Sequence, residues 1–497
     1  MSARQRKRLR ATLKTPAAPT PSAPQPTVHG PLEYLAVSAL LLIPCFWQAR
    51  LQAGDLGSHI YNAWLAQLIR QGQAPGLAIV PQFTNVLFDV LLGALFRALG
   101  AAAAERIAVS LAVMVFVWGA FALASAAGRH PWPMLPAIAM LAYGWVFHMG
   151  FFNFYLSLGL CFWALALAWR WQPRRLSAAA VLLALAYVAH GLAVAWAVAM
   201  LAYLWLMRRQ PKWGLSAGRL FAAALAAMIL THIAMSLSMM THWTWEQIER
   251  SAGVDQVWVF GDKYLAVSVG LLLLWALPFA ALVRRESARK VLSSEPFHLC
   301  ALTAAGIVLI PSWAWIPAYY HALVFISQRL SLALAICLCA FLARAPVSAW
   351  QRYAMTALAL LFFAFLYADE RTINAFEDQV DVLVASLPPG QRVIGAVQTL
   401  GVQVDPLPHI FDRACIGRCY SYANYEPSSG QFRIRVVGNQ SMVAPTDADA
   451  SRMQIGAYVV RPRDLPLFQI EAAPDGRVYL RSLSAGGRNG YTTWTGL

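Results

Sequence analysis

Eleven apolar runs, separated by short basic clusters, constrain this chain more than any other feature. They fall at roughly 33–50, 84–100, 107–127, 134–148, 151–169, 176–206, 220–240, 264–283, 297–311, 322–343 and 353–369. A helix crossing about 30 Å of hydrocarbon needs about 20 mostly apolar residues. In lipid the backbone must satisfy its own hydrogen bonds, so spanning segments are helices or closed barrels. The chain is 59% hydrophobic and 12% charged, against about 25% charged in an average soluble chain. The pattern predicts an all-α polytopic membrane protein with about 11–13 transmembrane helices.

Net charge is +16. The lysines and arginines sit in clusters between apolar runs, which is the positive-inside pattern. The basic balance therefore reads as topology and as affinity for membrane lipid phosphates, with no nucleic-acid partner. Residues 1–32, with "RQRKRLR" and "TPAAPTPSAPQP", read as a disordered cytoplasmic tail. No small-residue cleavage site follows the first run, so that run reads as an anchor.

The run 176–206 is too long for one simple pass and reads as two short helices meeting at His190 and Gly191. Its flanks, "RWQPRR" and "RRQPKW", are both basic and so share the cytoplasmic side, which turns His190 outward. The basic loops "RRESARK" and "RAPVSAWQR" keep this register and leave residues 370–497 outside. Between 33 and 169 the count closes only with a re-entrant run or with 134–169 as one broken span.

Three regions follow: the tail 1–32, a transmembrane domain 33–369 with its first exoplasmic loop at 51–83, and a C-terminal exoplasmic domain 370–497. The last is read as a small α/β or α+β domain. "QRVIGAV", "QFRIRVV" and "AYVVRP" alternate as short strands. "NAFEDQVDVLVASL" reads as a helix ending at "PPG", and "CYSYANYEPSSGQFRIR" as a hairpin with a Pro-Ser-Ser-Gly turn or as a partner-binding surface. Cys415 and Cys419 are a disulfide candidate if this region lies outside the cytoplasm. The other cysteines read as buried thiols.

Ionisable groups at a membrane are functional candidates by default. Asp55 stands just beyond the first run, where "GDLGSH" would also suit a helix N-terminus. It is placed to act as a general base, or to ligate a divalent metal ion if any residue does. His59 is four residues on and shares its face on a helix. From His59 to Arg70 the apolar residues follow a helical period, as for a helix lying in the interface. Arg329, in "FISQRLSLAL", would either snorkel to the headgroups or turn inward to clamp a phosphate. His148, His190, His242 and His321 are outward histidines, and Glu246 is a loop acid in "WTWEQ". None has the spacing of a zinc motif, and no P-loop, dinucleotide fingerprint or nucleophile elbow occurs.

This layout resembles the GT-C superfamily of integral-membrane glycosyltransferases. "GDLGSHIYNAWLAQLIRQG" resembles their acid-bearing first exoplasmic loop, with Asp55 at the acid. "AYVAHGL" resembles a broken helix with an outward histidine, and Arg329 matches a phosphate-contacting arginine of a late span. The resemblance implies a polyprenyl-phosphate-sugar donor, an exoplasmic acceptor, and inverting transfer with Asp55 and His59 catalytic. Arg329, His190, His148, His321, His242 and Glu246 would lie toward substrate and phosphate. It implies a bacterial inner-membrane protein with a cytoplasmic N-terminus and a periplasmic C-terminal domain. Two other classes fit the sequence: a transporter or flippase of a lipid-linked or anionic substrate, and a non-catalytic membrane assembly subunit.

Overall fold

The computed structural model describes residues 30–213, 216–316, 321–473 and 475–497. It divides into two compact units, Met1–Leu41 and Leu42–Leu497. Of the expected tail 1–32, residues 1–29 lie outside the described residues. The first unit is described through α1 (Pro31–Leu42), a short apolar helix.

In the second unit the first loop forms α2 (Leu56–Arg70), followed by β1 (Leu77–Ile79), α3 (Leu87–Leu99) and α4 (Ala101–Ala127). Then come α5 (Leu135–Ala142), α6 (Phe152–Ala168), α7 (Pro173–Ala189), α8 (Gly191–Arg209) and α9 (Ala217–Ser238). The chain continues through α10 (Lys263–Glu286), α11 (Glu295–Leu309), α12 (Ile326–Leu342) and α13 (Ala349–Ala385). A three-stranded sheet joins β2 (Met240–His242), β3 (Trp313–Ile316) and β4 (His321–Leu323).

Among the described residues, five helices are long and apolar enough to cross a membrane: α4, α8 with its short extension to Lys212, α9, α10 and α13. That is fewer than the expected 11–13. The difference has a physical reason. The run 84–100 forms only the 13 residues of α3, about 20 Å at 1.5 Å per residue, short of the hydrocarbon thickness. The runs that become α6 and α12 are apolar because nearly every residue is buried against protein. By contrast α9 buries no residue. The block 134–169 is broken into α5, a single turn at Trp145–His148, and α6. The run 176–206 breaks at His190, which caps α8 by accepting from the Leu192 N–H.

α13 has 37 residues, about 55 Å of helix. It opens on a capping box between Ser348 and Gln351 and runs unbroken through residue 370, the expected boundary. The helix expected at "NAFEDQVDVLVASL" is its last third. Beyond it lie β5 (Arg392–Gly395), β6 (Val397–Thr399), α14 (Ile410–Ala414), β7 (Tyr420–Ser421), α15 (Tyr425–Ser429), β8 (Ile434–Val436), α16 (Asp447–Gln454), β9 (Leu467–Ala472), β10 (Val478–Ser482) and β11 (Thr492–Trp494). The main sheet has the order β10-β9-β5-β7, with β5 parallel to both neighbours. Its core gathers Ile394, Tyr422, Met453, Tyr458 and Leu467.

"CYSYANYEPSSGQFRIR" is not a hairpin. Its β7 pairs with β5, Tyr425–Ser429 coils into α15, and its β8 pairs antiparallel with β1 of the first loop. "AYVVRP" forms only a bridge from Val459 to Arg488. The first loop and the C-terminal region are therefore one packed assembly within the second unit.

Candidate active site

Asp55 occupies the N-cap position of α2, yet its side chain makes no capping hydrogen bond. The cap reading is thus not realised, and the carboxylate is left for other partners. Its backbone is held from the turn after α5: the Asp55 N–H donates to Met149 O at 3.1 Å and the Gly54 N–H to His148 O at 2.6 Å. This approach needs glycine. Gly150 has φ +79°, and a Cβ there would collide with the Asp55 backbone.

An ion-pair partner of Asp55 comes from the C-terminal region. His409 Nε2 lies 3.6 Å from Asp55 Oδ1, and its Nδ1 lies 2.7 Å from Asp412 Oδ2. Ser421 Oγ donates to the other Asp412 oxygen. Gly57 makes this possible, because a Cβ at that position would run into the His409 carbonyl. Burial pushes the His409 imidazole down, but the Asp412 carboxylate outweighs it, and the ring is raised above its ordinary value.

His59 shares the helix with Asp55 but turns to another acid. Its Nδ1 lies 2.7 Å from Asp89 Oδ1 on α3. Asn153 of α6 donates to Asp89 Oδ2 at 2.8 Å and accepts from the Phe88 N–H at 2.8 Å. Burial pushes His59 down, the Asp89 charge pushes it up, and the result is about 9. Asp89 is correspondingly held low despite its burial. Glu426 of α15, 3.4 Å from Ser58 Oγ, is pushed up to about 7 by burial and by the Asp89 charge. Asn424 donates to Asn62 Oδ1 at 2.8 Å, and the Ser421 N–H donates to the Tyr61 hydroxyl at 3.0 Å. One face of α2 is thereby lined by polar groups of residues 409–426.

Arg329, half-buried on α12, lies with its guanidinium 4.1 Å from the Phe151 ring centroid and with Nη1 3.2 Å from His190 Nε2. Among the described residues the buried Arg329 Nε has no hydrogen-bond partner. His190 Nδ1 also accepts from the Leu192 N–H at 3.2 Å. A neutral imidazole has one acceptor nitrogen, so it can serve one of these donors and not both. The site is short of acceptors. Asp55 is the acid whose charge bears on the guanidinium.

The remaining candidates lie elsewhere. The His148 ring pairs with Glu370 of α13 at 3.3 Å, whose other oxygen accepts from the Trp47 indole at 2.7 Å. His242 is exposed on β2. Glu246 is 59% exposed and pairs with Arg250 at 3.0 Å. The side chain of His321 lies outside the described residues. Cys415 and Cys419 are bonded, with Cα atoms 4.6 Å apart. Among the described residues no three His, Cys, Asp or Glu side chains converge on a point that would hold a metal ion.

His409, Asp412, Asp89, Asn153 and Glu426 were not singled out by the sequence. The i,i+3 spacing of His409 and Asp412 was readable in "PHIFDRAC", but nothing local ties it to Asp55. No family model, no curated protein and no solved structure matches this chain.

Proposed function

We propose that this chain is an integral-membrane glycosyltransferase of GT-C type, moving a sugar from a polyprenyl-phosphate donor to an exoplasmic acceptor with inversion. The observation that carries the reading is the pairing of opposite electrostatic needs. Asp55, 28% exposed and uncommitted as a cap, bears electrostatically on Arg329, whose buried Nε lacks an acceptor. Asp55 takes the proton of the acceptor hydroxyl. The acceptor oxygen bonds to the anomeric carbon as the bond from that carbon to the phosphate oxygen breaks. Arg329 receives the departing polyprenyl phosphate. The Cys415–Cys419 bond supports an oxidising compartment for the C-terminal region, in keeping with a bacterial inner-membrane protein whose C-terminal region is periplasmic.

Purified protein in nanodiscs, given labelled short-chain polyprenyl-phosphate sugars, tests this. Asp55→Asn should lower transfer about 10³-fold or more, and Arg329→Ala about 10²-fold, with unchanged monodisperse yield. Transfer at the wild-type rate by Asp55→Asn would end the assignment.

A further inference from the structure

We infer that His409 is the positioning residue of Asp55, so that the C-terminal region is part of the catalytic machinery. This rests on the transferase reading above. The imidazole is anchored at one end and faces Asp55 at the other. Nδ1 donates to Asp412 at 2.7 Å, which directs Nε2 toward Asp55 Oδ1 at 3.6 Å. Asp412 is itself held by Ser421, whose backbone N–H is tied to Tyr61 of α2. The Tyr425 ring lies against the imidazole with centroids 5.6 Å apart. His409 is 7% exposed, so it does not meet the acceptor in bulk water; it acts through Asp55.

Three further observations favour positioning over simple packing. The segment bearing His409 approaches α2 at Gly57, where a side chain would block it. Asp55 makes no cap bond of its own, and among the described residues this imidazole is the group within ion-pair reach of it. The spacing of 3.6 Å is also the looser geometry expected of a catalytic pair before substrate is bound. With Oδ1 turned to His409, the second Asp55 oxygen is offered to the acceptor hydroxyl. The acids facing His409 are Asp55, Asp412 and Glu426.

The test compares His409→Leu, His409→Gln, Asp55→Asn and the double variant Asp55→Asn/His409→Leu in the nanodisc transfer assay. His409→Leu should lower kcat about 100-fold with the donor KM within about threefold. His409→Gln, whose amide still donates, should regain at least tenfold. The double variant should be no slower than Asp55→Asn. Wild-type kcat in His409→Leu, or equal loss in His409→Leu and His409→Gln, overturns the inference while an inactive Asp55→Asn keeps the transferase reading. An active Asp55→Asn removes that reading, and the pair is then judged by carbodiimide labelling of Asp55, mapped by mass spectrometry. His409→Leu should raise the labelling at least threefold; equal labelling overturns the pair.

Discussion

Two buried charge clusters built from neighbouring residues differ in what their charges are paired with. In one, Arg413 lies 3.5 Å from Glu105 and 3.4 Å from Glu377, and Arg50 lies 3.7 Å from Glu377. Gln52 donates to Glu377 at 2.9 Å, and Arg413 also donates to Leu51 O at 2.8 Å. In the other, Asp55, His59, Asp89, His409, Asp412 and Glu426 surround the start of α2. Residues 50–52 and 413 face the first; residues 55–59 and 409–412 face the second. A guanidinium keeps its proton at any working pH, so the first cluster is a permanent tie between the loop, α4, α13 and the C-terminal region. The second holds two imidazoles, whose charge changes with pH, so its ties are pH-dependent. The same stretches of chain supply both the rivet and the site.

The largest effect should come from the permanent cluster. Arg413→Met leaves Glu105 buried without its ion-pair partner and Glu377 with Arg50 alone, which costs about 3–5 kcal/mol. Loss of monodisperse protein in detergent and a collapsed melting transition would register it; a normal melt would mean that the first cluster is not structural.

A smaller effect, and one that depends on pH, belongs to the second cluster. His59 at about 9 stands above its ordinary value of about 6.5. The folded state therefore holds this proton more tightly. The stabilisation is fully present below about pH 6.5 and is lost as pH rises through about 9, at most about 3 kcal/mol. Melting temperature should fall across that window in the wild type and be flat there in Asp89→Asn. The Glu426 carboxyl, at about 7, should cause a separate fall at lower pH, between about 4.5 and 7, that Glu426→Gln removes. Identical slopes in Asp89→Asn and wild type would erase the distinction between the clusters.

The smallest effect is expected at Glu246, whose exposed pair with Arg250 contributes below about 0.5 kcal/mol. Glu246→Gln should leave the melt where it is.

Local patterning carried part of this far. The break at His190 and the amphipathic helix after Asp55 were legible because both are set by residues within a few turns. Hydropathy misplaced the end of α13, because the run of apolar residues stops where lipid would stop, while helix-forming residues continue to Ala385. The pairing of His409 with Asp55 was invisible for another reason. It depends on Gly57 and on a β1–β8 register joining distant segments, and neither leaves a periodic trace. "CYSYANYEPSSGQFRIR" misled similarly: its two strands each found partners elsewhere.

The link between Tyr61 and Ser421 spans 360 residues of chain. A ribosome adding 5–20 residues per second needs roughly 20–70 s to make the second after the first. Throughout that interval the acid-bearing loop exists without the segment that completes it. A chain stalled or cut before about residue 420 therefore leaves the polar face of α2 without the groups of residues 409–426 that line it.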